Sequence, residues 1–229
     1  MSQTALNLIA ISVFLMTLTS LLAPLLNLSP AVPAIATFVV LGIATIDSFS
    51  WEGKGGNIFI DWLANFSPQH RERIIHHEAG HFLVAYLLNI PIKNYTLSAW
   101  EAWKNKQSGQ GGVSFDDEEL KLELEQGKIT PVMLERYCTV WMAGIAAENL
   151  VYQQVEGGAD DKNQLENILH SLGFSHSHSQ QKQSFCALQA KTLLEKNWSA
   201  YQTLVKAMAD KNSVDDCIIA IKGKLIAHG

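Results

Sequence analysis

The chain has 229 residues, of which 48% are hydrophobic and 17% charged, with a formal net charge of −5. Charge is sparse for a soluble protein, and the apolar share stands at the upper end of normal. The acidic balance, with no basic patch and no interleaving of aromatic and basic residues, excludes nucleic acid as a partner.

No charged side chain occurs from Met1 to Ile46; Asp47 is the first. Two apolar runs, about 5–26 and 31–48, each approach the ~20 residues that cross a bilayer. Asn27-Leu28-Ser29-Pro30 between them reads as a tight turn. The pattern predicts a transmembrane helical hairpin that enters and leaves on one side. A cleaved signal peptide is excluded, because no basic stretch precedes the apolar run. A single span and a wholly buried core are the competing readings, since Pro33 and Gly42 interrupt the second run. Lys54, Arg71 and Arg73 follow, which puts that flank on the cytoplasmic or equivalent side. Residues 1–54 are thus read as a membrane anchor with its linker, and 55–229 as a separate domain. Gly53, Gly55 and Gly56 make 47–56 a flexible link. The amphipathic 57–66 either lies on the membrane surface or packs on the domain.

Ser67-Pro68 is a helix start, with serine as cap and proline in the first turn. The apolar spacing that follows predicts a helix over about 68–89, ended by Pro91. Inside it stands His77-Glu78-Ala79-Gly80-His81. Residues four apart share a helix face, so both imidazoles aim at one point. Two neutral imidazoles so placed suit Zn²⁺, and Glu78 beside them suits a general base. The pattern is that of a zinc peptidase centre.

Lys93–Trp100 and Gly111–Phe115 read as two strands of a small antiparallel sheet beside the site, with an edge that an extended peptide can join. Asp116-Asp117-Glu118-Glu119 reads as a solvated charged loop, at a point where a helix start would suit the negative charge. One helix is expected over Thr130–Gln153, a shorter one over Asp161–Leu172, and two or three over 183–227. The fold class is therefore mainly α with a small antiparallel β element. Cys138, Cys186 and Cys217 are widely spaced and form no C-x-x-C. They read as buried thiols in a reducing compartment, which excludes a disulfide framework or a cysteine zinc site.

A catalytic zinc takes three protein ligands and keeps one position open. The third ligand is expected in Glu156-Gly157-Gly158-Ala159-Asp160-Asp161, where glycines let the backbone bring a carboxylate close. Asp161 is chosen as that ligand, with Asp160 as helix cap or as an outer hydrogen-bond acceptor. An ordinary helix cap is the competing reading of the pair. Glu148, in an apolar small-residue helix, is read as the acceptor that orients a ligand histidine, against a plain surface glutamate. His70 and His76 read as polar surface residues. His170, His176 and His178 are read as a solvated loop group rather than a second metal site.

Ile74-Ile75-His76-His77-Glu78-Ala79-Gly80-His81 with Tyr86-Leu87-Leu88 resembles the peptidase domain of FtsH-type membrane metalloproteases. Ala143-Gly144-Ile145-Ala146-Ala147-Glu148, Gly157 to Asp161 and Leu172-Gly173-Phe174-Ser175 agree in order. The resemblance covers about 68–175 well and the helices to about 220 loosely. It implies a helical zinc peptidase domain over 55–229, with His77, His81 and Asp161 as zinc ligands, Glu78 as base and Glu148 as outer partner. The family carries an AAA ATPase between membrane segments and peptidase, where this chain has about 20 residues and no G-x-x-x-x-G-K-[ST] loop. The family's arginine before Ala-Ala-Glu is Ile145 here.

The sequence therefore leads to the expectation of a membrane-anchored zinc metalloendopeptidase without its own ATPase, acting on unfolded or membrane-associated proteins. The alternative is a non-catalytic membrane partner of related protease complexes that retains zinc. Expected partners are the lipid bilayer, protein or peptide substrates, and a separate AAA ATPase or further copies of the chain. An intramembrane protease fits poorly, because Gln69-His70-Arg71-Glu72-Arg73 immediately precede the motif.

Overall fold

The structure is a computed structural model that describes residues 3–23, 29, 31–32, 35–36, 38–39, 67–98, 112–126 and 128–225. The chain divides into two compact units, Met1–Ser67 with Ser98–Gln110, and Pro68–Leu97 with Gly111–Gly229.

In the first unit α1 spans Gln3–Leu22. Val13, Phe14, Leu15 and Leu21 on it are exposed, and the Thr17 and Thr19 hydroxyls donate back to the Val13 and Leu15 carbonyls. Among the described residues no helix is long and apolar enough to cross a membrane, so the expected transmembrane hairpin is not supported. Most of the second arm expected over 31–48 lies outside the described residues, as do the link 47–56 and the segment 57–66.

The second unit is built on α2 (Pro68–Leu87). Its first half is partly exposed, while Ala79 to Ala85 are buried on every side. A helix buried all round is a core helix, and α2 packs against four others: α4 (Pro131–Trp141), α5 (Ala143–Tyr152), α7 (His176–Lys196) and α8 (Trp198–Ala209). It ends two residues earlier than the sequence predicts. Asn89 adopts φ 54, Ile90 N donates to Ala85 O at 2.9 Å, and Asn89 N donates to Tyr86 O at 3.1 Å. That is a left-handed C-terminal cap that satisfies the last carbonyls before Pro91. Arg136 of α4 adds its guanidinium to the same end, with Nε donating to Leu88 O at 2.8 Å.

The chain then forms β1 (Ile92–Thr96) and β2 (Gly112–Phe115), paired antiparallel with Tyr95 opposite Val113 and Thr96 opposite Gly112. The antiparallel pairing matches the expectation. The acidic run opens α3 (Glu118–Glu125), with Glu118 and Glu119 in its first turn.

The single helix expected over Thr130–Gln153 is two. Thr130 caps α4, its hydroxyl accepting from Met133 N at 3.3 Å with Pro131 next. α4 ends at Trp141, Met142 turns the chain, and α5 starts at Ala143. The break frees carbonyls in the last turn of α4, because a helix end leaves them without continuing partners. α6 (Ala159–Ser171) follows, then α7, α8 and α9 (Val214–Leu225). Ser175-His176-Ser177-His178-Ser179 is not a loop: Ser175 caps α7, its Oγ accepting from His178 N at 3.4 Å. Leu165, Leu169, Cys186, Leu194, Tyr201, Leu204, Met208 and Ile221 close the core under α2. Cys138, Cys186 and Cys217 are free and buried, as the sequence predicts.

Candidate metal centre

α2 and α5 approach closely because both carry glycine where they cross. A Cβ on Gly80 would stand 2.6 Å from Ala143 O, and one on Gly144 would stand only 2.5 Å from two carbons of the His77 ring. The ring of His77 therefore lies directly on the α5 backbone. Four residues on, His81 points the same way, and its Nε2 is 3.0 Å from His77 Nε2.

The third group comes from α6. Asp161 Oδ2 is 3.1 Å from His77 Nε2 and 3.5 Å from His81 Nε2. His77, His81 and Asp161 are the one group among the described residues that could hold a metal ion, with ligand atoms all within 4.8 Å of one another.

Each ring is fixed from behind. His77 Nδ1 bonds Glu148 Oε1 at 2.7 Å, and His81 Nδ1 bonds Val140 O at 2.7 Å. A carbonyl only accepts, so the His81 proton is on Nδ1 and its Nε2 presents a lone pair. An ionised Glu148 imposes the same tautomer on His77. Two lone pairs and a carboxylate oxygen thus converge on one point, and they cannot satisfy one another without a cation or an extra proton. Ligands about 2.0–2.1 Å from a tetrahedral ion stand roughly 3.3–3.4 Å apart. The three separations here are 3.0, 3.1 and 3.5 Å, so the donor set fits such an ion.

The electrostatics say the same. Burial works against charge on His77, but hydrogen bonds to Asp161 and Glu148 outweigh it and push the imidazolium up to about 10. Burial also opposes charge on His81, and the Asp161 charge overcomes it, raising that group too. Burial alone would lift Asp161, yet the two histidines hold it well below the usual carboxylate range. With only protein groups around it, this centre captures a proton where a divalent cation would sit.

Glu148 is 1% exposed and is the hub of the arrangement. Besides His77, it accepts from Glu156 N at 2.9 Å, Gly157 N at 3.2 Å and Arg73 Nη1 at 3.2 Å. Burial pushes its carboxyl up, but His77, the Glu156 amide and Arg73 prevail and hold it down to about 2. It stays ionised, as an acceptor for a ligand ring must.

Glu78, on the same helix, accepts from Val113 N of β2 at 3.0 Å. Burial pushes its carboxyl above the ordinary value, against the pull of the two histidines. The edge of the small sheet therefore lies against the motif glutamate.

Asp160 takes neither role expected of it. Gly158, at φ 78, occupies the cap position and no side chain caps α6. Asp160 is one helical step from Asp161, about 100° round the helix, so with Asp161 turned to the histidines it is exposed to solvent. His76 sits away from the centre; its Nδ1 meets the Tyr201 hydroxyl at 2.9 Å, and that hydroxyl donates to the His76 carbonyl at 3.0 Å. His176 pairs with Glu166 at 2.7 Å and His178 with Ser175 at 2.9 Å, so neither builds a second centre.

Three groups at the centre escaped the sequence reading. The Val140 carbonyl depends on the helix break at Met142, which carries no glycine or proline signal. Gly144 was noted only as part of a small-residue segment. Arg73 had a signal, since it precedes His77 by one helical turn and shares its face. No protein-family model and no curated protein matches the chain.

Proposed function

We propose that this chain is a zinc metalloendopeptidase, with His77, His81 and Asp161 as ligands and Glu78 as general base. One observation carries the reading: two imidazole lone pairs and one carboxylate oxygen meet within 3.5 Å, next to a half-buried glutamate on the same helix. Three protein ligands leave a fourth position open, which distinguishes a catalytic from a structural zinc site. The resemblance of residues 74–88, 143–148 and 157–161 to FtsH-type peptidases points the same way.

Bound there, zinc supplies Lewis-acid chemistry, making water nucleophilic near neutral pH and polarising a scissile carbonyl. Glu78 takes a proton from the attacking water and passes it to the departing amine. Its raised affinity for a proton suits a group that must both take and give near neutrality. The Val113 amide holds Oε2, which leaves Oε1 for the proton. Glu148 and the Val140 carbonyl keep both rings in the ligating tautomer. A substrate in extended form pairs with the edge of β2, which brings its backbone alongside Glu78.

The chain carries no phosphate-binding loop, so the substrates are peptides already unfolded or delivered by a separate ATPase. Attachment to a bilayer, with the peptidase on the cytoplasmic or equivalent side, is supported by the uncharged stretch Met1–Ile46 and the exposed apolar side chains of α1. Cleavage of casein or a flexible peptide by the full chain, with and without chelator, tests the activity. Glu78→Gln should bind zinc and lose roughly 10²–10⁴-fold in turnover; full activity in that variant rules the mechanism out.

A further inference from the structure

Arg73, His77 and His81 recur at intervals of four and share one face of α2. The Arg73 side chain is only 17% exposed, and among the described residues its polar and aromatic partners lie between 148 and 156. Nη1 donates to Glu148 Oε2 at 3.2 Å and to Gln154 O at 3.0 Å. Nη2 pairs with Glu156 Oε1 at 3.2 Å, and the guanidinium lies over the Tyr152 ring at 4.3 Å. One planar fork thus joins α2, the end of α5 and the loop that runs on to Asp161.

Taking the zinc site proposed above as its basis, we propose that Arg73 is a positioning residue for the metal: it fixes the loop that delivers Asp161 and orients the Glu148 carboxylate that meets His77. The loop has little else to hold it. Residues 153–157 are exposed, so apolar burial does not anchor them. The Glu156 and Gly157 amides tie the loop to Glu148, and Arg73 ties it to the same carboxylate and to Gln154 O. Arg73 also places a positive charge beside a carboxylate that is nearly sealed from water. Without it, Glu148 would be a buried carboxylate left with the His77 ring and the Glu156 and Gly157 amides as its donors. Arg73 touches neither ligand ring, so its influence travels through Glu148 and the loop. Lysine can supply the charge but not the fork, because an ammonium is a point donor.

The experiment measures zinc affinity of the full chain by chelator competition, for wild type, Arg73→Met, Arg73→Lys, Glu148→Gln and the Arg73→Met/Glu148→Gln double variant. Arg73→Met should weaken zinc binding by roughly 10–100-fold, the range typical of outer partners of metal ligands. Arg73→Lys should recover part of that loss. The double variant should lose clearly less than the product of the two single losses, because both changes act largely through one carboxylate. Wild-type affinity in Arg73→Met overturns the inference, and so do losses that simply multiply in the double variant. If Arg73→Met does not fold, Arg73→Lys alone decides: an affinity equal to wild type refutes the role of the fork. A wild-type chain that takes up no zinc overturns the underlying metal-site reading and this inference with it.

Discussion

Replacing Gly144 with alanine drives a methyl group against the ring of His77. The new Cβ would stand 2.5 Å from both Cδ2 and Cε1 of that ring, and closer still to Nε2. Carbon atoms in contact sit about 3.5 Å apart, so ring or helix must retreat by about 1 Å. The ring has nowhere to go. It is bonded to Glu148 at 2.7 Å on one side and faces His81 and Asp161 at 3.0 and 3.1 Å on the other. Retreat of α5 would drag the Val140–Met142 turn and with it the acceptor of His81. Metal sites tolerate ligand shifts of only about 0.2 Å. The Gly144→Ala variant should therefore lose roughly 10–100-fold in zinc affinity and about 100-fold in peptide turnover. Gly223→Ala is the control: it lies in α9, nothing stands within 4 Å of the new Cβ, and alanine there should stabilise by about 0.5–1 kcal/mol. Chelator competition and far-UV circular dichroism read the two effects. A helical Gly144→Ala protein that holds zinc as tightly as wild type would refute the packing on which the His77 position rests.

Two further outcomes follow from the same centre. His77 holds its proton up to about pH 10 when no metal is bound, so zinc entering near neutral pH must expel it. Zinc affinity should rise with pH, with about one proton released per ion in titration calorimetry across buffers of different ionisation heat; no release would contradict the arrangement. The sign for folding is opposite: a raised histidine pKa stabilises the zinc-free protein below about 6.5, and that stability is lost as pH climbs to about 10. Stripping zinc held at about 100 times its Kd removes roughly 2.7 kcal/mol, a fall of about 5–10 °C in Tm. An unchanged melting curve after chelation would show that no ion contributes to the fold.

Much of the centre was legible because α2 is locally self-consistent. Ser67-Pro68 sets its start, and the spacing of His77, Glu78 and His81 has chemical meaning only on a helix. The sheet was legible from its glycines and alternating residues. The break at Met142 was not, because Leu134, Tyr137, Val140, Trp141 and Ile145 keep a helical period straight through it. Packing against α2 decides there, and periodicity cannot register it. Ser175 to Ser179 read as a loop from composition, while one serine acts as a cap for a long helix. Asp160 and Asp161 are chemically equal in sequence; the left-handed Gly158 fixes where α6 starts and hence which of them turns inward. At the other end of the chain, absence of charge suggested two spans, but charge is only part of the requirement. Length and apolarity must coincide in one helix, and no described helix meets both.

Zinc content of the purified full chain tests the central claim most directly, measured on wild type beside Asp161→Ala and Asp160→Ala. The account predicts one zinc per wild-type chain, clear loss in Asp161→Ala, and no change in Asp160→Ala, whose carboxylate faces solvent. Undiminished zinc in Asp161→Ala, or none in the wild type, would contradict it.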